Sequence, residues 1–162
     1  MNPQQIRPAT QQDITAITEL LIDCAQAMNQ QGMQHWLGVY DEQAVAQNLE
    51  DKQVYVLEVN AVIVGCIALG TDAAPYYQDC WPDAPPADYY ITQLAVSPSS
   101  QGQGYGKTLM QYCLDHVGNA RIQLDAVDHY PALLQFYRDL GFEIIASGIG
   151  LGDKRHLFSY PQ

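Results

Sequence analysis

The sequence predicts an α/β (α+β) fold in which helices and strands alternate along one domain of 162 residues. Three observations predict it. Apolar residues switch repeatedly between a spacing near 3.6, which suits a helix, and a spacing of two, which suits a strand. A glycine-rich turn, Ser97 to Lys107, stands between an alternating apolar segment, Ile91 to Val96, and an amphipathic helical pattern, Leu109 to Val117. A further strand and helix follow, Arg121 to Ala126 and then Leu133 to Leu140, and Gly141 supplies the helix stop.

The remaining elements fall in order. Gln5 to Arg7 reads as a short strand ahead of Pro8, and Thr10 to Asp13 forms a helix-opening cap. Ile14, Ile17, Leu20, Leu21, Cys24 and Met28 then recur at helical spacing. Asp41 caps a second helix carrying Val45 and Leu49. Val54 to Glu58 and Val62 to Leu69 are strands joined as a hairpin at Val59-Asn60-Ala61. Tyr89 to Val96 is the strand before the glycine turn, and Phe142 to Ser147 and Lys154 to Tyr160 close the chain as strands. No internal repeat or linker interrupts the series, so residues 1–162 read as a single domain.

Two connections stand out. Gly32 to Tyr40 is aromatic and carries His35, Trp36 and Tyr40. Thr71 to Asp88 is rich in Pro, Asp, Tyr and Trp, including Tyr76, Tyr77, Trp81 and Pro82. Long connections of this kind either bind ligands or pack on themselves at the surface.

Composition excludes several classes. A net charge of −11 argues against nucleic acid as a partner. No apolar run is long enough to span a membrane, and Met1 to Ile6 lacks the basic and apolar regions of a signal peptide, so the expected compartment is the cytoplasm. Cys24, Cys66 and Cys113 lie in apolar periodic segments and read as buried small hydrophobes, whereas Cys80 lies in a connection and is open to exposure. None of the four forms a C-x-x-C pair, so no metal site is expected. Basic residues are uneven: between Arg7 and Lys107 there is only Lys52, while Lys107, Arg121, Arg138, Lys154 and Arg155 lie in the last third. An acidic front half draws a cationic substrate such as an amine, and the last third suits a phosphate-bearing cofactor; a merely soluble acidic surface gives the same pattern.

Strand, glycine turn and helix start together make a phosphate cradle. Glycine lets the backbone approach, and the free N–H groups and dipole of the helix start attract anionic oxygens. Three fingerprints compete. A dinucleotide G-x-G-x-x-G started at Gly102 needs glycine where Lys107 stands. A Walker A loop matches Gly106-Lys107-Thr108 but needs glycine where Gln101 stands. The pattern Q/R-x-x-G-x-G/A is met in full by Gln101, Gly104 and Gly106.

That last pattern resembles the acetyl-CoA loop of the GNAT acetyltransferase superfamily. A second motif supports the resemblance: Leu124-Asp125, then Leu133-Leu134-Gln135-Phe136-Tyr137-Arg138-Asp139-Leu140-Gly141-Phe142, similar to the family's strand and "fY-x-x-LGF" helix ending. The opening Ile6-Arg7-Pro8-Ala9-Thr10 with Asp13 is also similar, as is His35-Trp36, and the likeness covers nearly the whole chain. It implies a central twisted mixed sheet of about six to seven strands flanked by about four helices, with the parallel strands Tyr89–Val96 and Arg121–Ala126 splayed at the cofactor cleft.

By resemblance, the cofactor is acetyl-CoA. Main-chain groups of Leu94, Ala95 and Val96 would pair with the pantetheine arm and polarise the acetyl carbonyl. Gln101, Gly102, Gln103, Gly104, Tyr105, Gly106 and Lys107 would hold the pyrophosphate. Tyr137 matches the tyrosine that serves as acid toward the departing thiolate; the reference pKa values, about 10 for tyrosine and about 8.5 for a thiol, suit that exchange. Relatives often carry a carboxylate base where this chain has Gln93, which cannot accept a proton; Glu58, Asp88 and His35 are the substitutes at hand. Relatives also often carry a cofactor-contacting asparagine where Tyr130 stands. The acceptor side comprises His35, Trp36, Tyr40, Asp88 and Gln93.

The leading expectation is therefore an N-acetyltransferase acting on a primary amine of a small molecule or peptide. The alternatives are a non-catalytic acyl-CoA-binding module of the same fold, favoured by Gln93 and opposed by Tyr137, and a P-loop nucleotide hydrolase, opposed by Gln101. The C-terminal strands offer edges through which a homodimer can form.

Overall fold

A computed structural model describes residues 4–32, 36 and 38–161. Its strands are β1 (Gln4–Pro8), β2 (Gln53–Val59), β3 (Val62–Gly70), β4 (Tyr89–Val96), β5 (Ile122–Val127), β6 (Glu143–Gly150) and β7 (Asp153–Tyr160). The helices are α1 (Ile14–Gln30), α2 (Glu42–Asp51), α3 (Tyr77–Cys80), α4 (Tyr105–Val117) and α5 (Pro131–Asp139). The strands form one sheet in the order β1-β2-β3-β4-β5-β7-β6. The ladders β1–β2, β2–β3, β5–β7 and β6–β7 are antiparallel, and β4–β5 is parallel. The parallel register covers Tyr89↔Ile122 and Tyr90↔Gln123, both at the strands' N-terminal ends.

The chain divides into two compact units, and β4 contributes to both. In the first, Met1–Leu69 with Gln93–Leu114, Ile17, Leu20, Leu21 and Cys24 of α1 bury one stripe against Val45 of α2, Val54 and Val56 of β2, Cys66 and Ala68 of β3, and Ala95 of β4. The spacing read from the sequence is the spacing that packs. Asp13 fixes the tight turn Gln11–Asp13 that leads into α1: its carboxylate accepts the Thr10 N–H (2.8 Å) and hydroxyl (3.2 Å) and a bidentate pair from Arg7 (2.7 and 2.9 Å). Asp41 caps α2 by accepting the Ala44 N–H at 2.8 Å. The hairpin turn sets both Asn60 (φ 53°) and Ala61 (φ 67°) in the left-handed region, as a two-residue hairpin turn demands. Gly65 is where α4 comes down on the sheet: a Cβ built there would stand 2.9 Å from Leu109 Cδ1 and 3.1 Å from the Ala95 carbonyl.

The second unit is Gly70–Thr92 with Asp115–Gln162. Its core includes Tyr77, Cys80, Trp81, Tyr90 and Leu157. The rings of Tyr77, Trp81 and Tyr90 meet edge to face at 5.0 and 5.8 Å. Tyr137 of α5 packs on Phe142 and Phe158. Gly141 ends α5 at φ 101°, and the Phe142 N–H closes on the Tyr137 carbonyl at 3.1 Å.

Some expectations are corrected. Cys80 is buried, not exposed. Thr71 to Asp88 folds a one-turn helix, α3, against β6, and the Cys80 thiol donates to the Ile149 carbonyl at 3.2 Å. The one-turn α3 lies in an aromatic, proline-rich stretch without helical period, which is why the sequence does not mark it. The last two strands run three residues further and one residue earlier than read, to Gly150 and from Asp153, because an antiparallel ladder holds them across polar and glycine positions.

Candidate active site

The glycine turn lies in the first unit and is built by backbone geometry. The Ser97 N–H donates to the Val64 carbonyl at 2.7 Å, fixing where β4 ends. Pro98–Ser100 makes one tight turn. Gly102 (φ 84°) and Gly104 (φ 81°) then adopt the left-handed region, and a Cβ built on either finds no atom within 4 Å. The inner side of the turn is therefore room rather than packing. The Gly104 carbonyl accepts both the Thr108 N–H and the Thr108 hydroxyl, each at 3.0 Å, so α4 starts squarely at Tyr105. The first N–H groups of α4 have no acceptor within their own helix.

Charge agrees with that geometry. No Asp or Glu falls between Asp88 and Asp115, although the chain carries a net charge of −11. Lys107 is exposed in the first turn of α4. Donors, room and a segment free of acidic residues fit a pyrophosphate. Gln101 ties the turn back to the strand, because its side-chain N–H donates to the Val96 carbonyl at 3.3 Å. Cys24 Sγ donates to the same carbonyl at 3.2 Å. Of the main-chain groups expected to face the cofactor arm at Leu94, Ala95 and Val96, this carbonyl is thus already engaged. Gln103 accepts the Tyr105 hydroxyl proton at 3.1 Å, and Gly106 lies within α4.

Gln93 is the irregular residue of β4. Its φ is 56°, uncommon for any residue but glycine. Its side chain is buried, and its carbonyl accepts a proton from Cys66 Sγ at 3.5 Å. The burial pattern changes phase two residues earlier, where Tyr90 and Ile91 are both buried, and then alternates through Gln93. Backbone strain of this kind costs about 1–3 kcal/mol and is kept where a chain must redirect its own backbone groups.

The second unit holds Tyr137, whose side chain is buried. Its hydroxyl has no hydrogen-bond partner among the described residues, whereas its ring packs on Phe136, Phe142 and Phe158. Burial, and then the field of the Asp125 carboxylate, push its pKa well above the usual tyrosine value, so the hydroxyl keeps its proton. Asp125 is itself enclosed: it accepts from the Tyr77 hydroxyl (2.7 Å), the Tyr76 hydroxyl (3.0 Å) and Arg155 Nη1 (3.1 Å). Arg155 also donates to the Gly150 carbonyl (2.8 Å) and lies 5.3 Å from the Tyr76 ring centroid. The sequence does not show this enclosed Asp125–Arg155–Tyr76–Tyr77 group. Asp125 is 48 and 49 residues from Tyr77 and Tyr76 and 30 from Arg155, and only a charged residue inside each apolar strand hints at it.

The other expected residues separate. Trp36 and Tyr40 stack edge to face at 5.4 Å against the first unit's core, and His35 lies outside the described residues. Asp88 accepts the Arg121 N–H at 2.8 Å, tying together the N-terminal ends of β4 and β5. Glu58 is ion-paired with Arg7. Tyr130 precedes α5, with its carbonyl accepting from Leu133 and Leu134. Among the described residues no group of His, Cys, Asp and Glu has the makings of a metal site, and no helix is long and apolar enough to cross a membrane.

Comparison with known proteins matches residues 24–149 to the acetyltransferase (GNAT) domain family. The chain is 29% identical over 157 residues to the uncharacterized N-acetyltransferase YesJ of Bacillus subtilis (strain 168), covering 91% of this chain and 87% of that one. Among solved structures it is similar to a GNAT-family acetyltransferase from Streptococcus agalactiae 2603, with a TM-score of 0.82 and 15% identity over 96% of this chain and 94% of that one. It is also similar to the paiA N-acetyltransferase of Thermoplasma acidophilum, solved in complex with coenzyme A, with a TM-score of 0.71 and 14% identity over 98% and 99% of the two chains.

Proposed function

The chain belongs to the GNAT acetyltransferase family, and from that premise we propose that it moves the acetyl group of acetyl-CoA directly to a primary amine of a small molecule or peptide. The observation that carries the reading is the cradle from Val96 to Tyr105: two left-handed glycines with open space on their Cβ side, leading into the free N–H groups of α4. Those N–H groups hold the pyrophosphate, and Lys107 adds positive charge. When bound, the cofactor supplies an acetyl thioester open to attack by an amine.

Tyr137 is the acid. Its proton is retained by burial and its hydroxyl has no hydrogen-bond partner among the described residues, which suits an acid toward a departing thiolate. Of the possible bases, β4 carries Gln93, Asp88 just ahead of β4 is engaged with Arg121, Glu58 of β2 is engaged with Arg7, and His35 lies outside the described residues. The amine accordingly reacts in its neutral form, reached by losing a proton to water. The acid-rich composition outside β4 and α4, and the aromatic residues Trp36 and Tyr40, suit a cationic or amphipathic acceptor.

The test is calorimetric titration with acetyl-CoA beside ATP·Mg²⁺, followed by an amine screen read by thiol release. Micromolar acetyl-CoA binding without ATP binding, and turnover with at least one amine, is the expected result. Failure to bind acetyl-CoA refutes the proposal. Binding without turnover on any amine favours an acyl-CoA-binding module, which is the reading that Gln93 supports.

A further inference from the structure

A second group of chemically active side chains lies in the second unit, apart from every residue used above. Ser147 of β6 and His156 of β7 are direct cross-strand partners, so their side chains share one face of the sheet. His156 is likewise registered with Ala126 of β5, and Asp128, two residues further along that chain, continues the ladder through its N–H to the Lys154 carbonyl at 3.0 Å. Three neighbouring segments thus bring a hydroxyl, an imidazole and a carboxylate abreast. The contacts are close: Ser147 Oγ to His156 Nδ1 is 2.7 Å, and His156 Nε2 to Asp128 Oδ1 is 2.5 Å.

The proton positions follow from the partners. A carboxylate only accepts, so Nε2 carries the proton shared with Asp128. Nδ1 is then the free lone pair, and it takes the hydrogen bond donated by Ser147. Asp128 holds the ring in that tautomer, and its carboxyl is kept below the usual range, chiefly by the hydrogen bond from His156. His156 is buried while Ser147 is exposed, so a fixed base stands behind an accessible nucleophile. Ile149, two residues along from Ser147 on the same strand, and Ile145 are exposed apolar side chains, at 67% and 41%.

We propose that Ser147, His156 and Asp128 form a second nucleophilic centre, one that takes an acyl group of short apolar chain from a reactive ester or thioester. Ser147 Oγ bonds to the carbonyl carbon as its proton passes to His156 Nδ1, with Asp128 stabilising the imidazolium. The bond from the carbonyl carbon to the leaving group then breaks, and the Nδ1 proton goes to the departing alkoxide or thiolate. Water attacks the acyl-serine by the same route, giving its proton to Nδ1, and releases the carboxylic acid with Ser147 restored. Positioned general-base catalysis accounts for about 10²–10⁴-fold in rate. The centre should accordingly show slow acylation rather than rapid turnover.

The experiment treats the full chain with diisopropyl fluorophosphate and with p-nitrophenyl butyrate and reads adducts by intact mass and peptide mapping. The expected result is one adduct per chain, on Ser147, absent in Ser147→Ala, while amine acetylation in that variant stays at the wild-type rate. His156→Gln should slow labelling by about 10²-fold. Asp128→Asn should slow it and displace its pH profile, with partial rescue by Asp128→Glu, because Asp128 acts through His156. Should His156→Gln fail to fold, Ser147→Cys gives an independent reading. All four native thiols are buried, so residue 147 becomes the exposed one. At pH 6 it should alkylate with iodoacetamide at least about tenfold faster than free cysteine, and lose that excess on Asp128→Asn. No adduct on Ser147, labelling indifferent to His156→Gln, or a cysteine no faster than the free thiol would overturn the proposal.

Discussion

Gly104→Asp tests the phosphate cradle, and its effect separates into two parts. Gly104 sits at φ 81°, where an L-residue costs about 1–2 kcal/mol. A Cβ built there meets nothing within 4 Å, so no packing penalty is added in the free protein. Gly104→Ala carries this backbone cost alone, about 2–8 °C in Tm for a chain of this length. Aspartate adds a negative charge at the mouth of the cradle, and about 5 Å serves as the working separation for the Coulomb term. Two unit charges at that distance repel by about 0.8 kcal/mol in a fully aqueous dielectric and about 3 kcal/mol at an effective constant near 20. The turn is exposed, which favours the lower end. Summed over two phosphate charges, about 1.5–3 kcal/mol remains, or roughly 10- to 150-fold in Kd. The assay is calorimetric titration of acetyl-CoA into wild type, Gly104→Ala and Gly104→Asp at low and moderate salt. The gap between Asp and Ala should shrink as salt rises. Unchanged binding by Gly104→Asp refutes the cradle, and a loss equal to that of Gly104→Ala at both salts refutes its electrostatic part.

Tyr137→Phe should lower kcat by about 10²-fold or more while acetyl-CoA affinity holds, measured by thiol release beside calorimetry; unaffected turnover would leave Tyr137 a core aromatic only. Because no side chain on β4 can act as base, log kcat/KM should rise with slope one up to the acceptor amine's own pKa. The Tyr137 pKa lies above the usual value of 10, so ionisation of Tyr137 should impose no fall in rate below pH 10; a profile that bends near pH 6–7 for every amine would reveal a base. Arg155→Met leaves the buried Asp125 carboxylate with its two tyrosine hydroxyls alone, and should cost about 3 kcal/mol in calorimetric stability; a loss under about 1 kcal/mol would mean water replaces the guanidinium. Burial raises the pKa of Cys24 to about 11 and of Cys66 and Cys113 to about 12. Their contribution to stability is whole below the unfolded thiol value and is lost as pH climbs toward those folded values. Denaturant titrations should show stability falling by up to about 4 kcal/mol per pH unit between pH 9 and 11, from about 1.4 for each thiol; a flat curve there would place the thiols in solvent.

Features with a local cause are legible in the sequence. Thr10 and Asp13 close the turn ahead of α1 through bonds that join residues three apart. Asn60, Gly102 and Gly104 mark left-handed turns because few other residues accept that geometry. Ile17, Leu20, Leu21 and Cys24 keep a 3.6 period because only one stripe of α1 is buried. The turn between β4 and α4 was legible for the same reason, and it carries the candidate cofactor site.

Other features have no local cause. Cys80 is buried because β6, some 70 residues later, passes over α3. Gln93 takes a positive φ although nothing in Thr92-Gln93-Leu94 asks for it. Asp125 meets Tyr76, Tyr77 and Arg155, and Ser147 meets His156 and Asp128, only once strand register is set. The elements, the caps and the glycine turn were written into the chain directly, since backbone preference and amphipathic period act over a few residues. Which polar groups are enclosed together was settled only by the assembled sheet: register aligns side chains from distant strands, and burial then makes each of them require a partner.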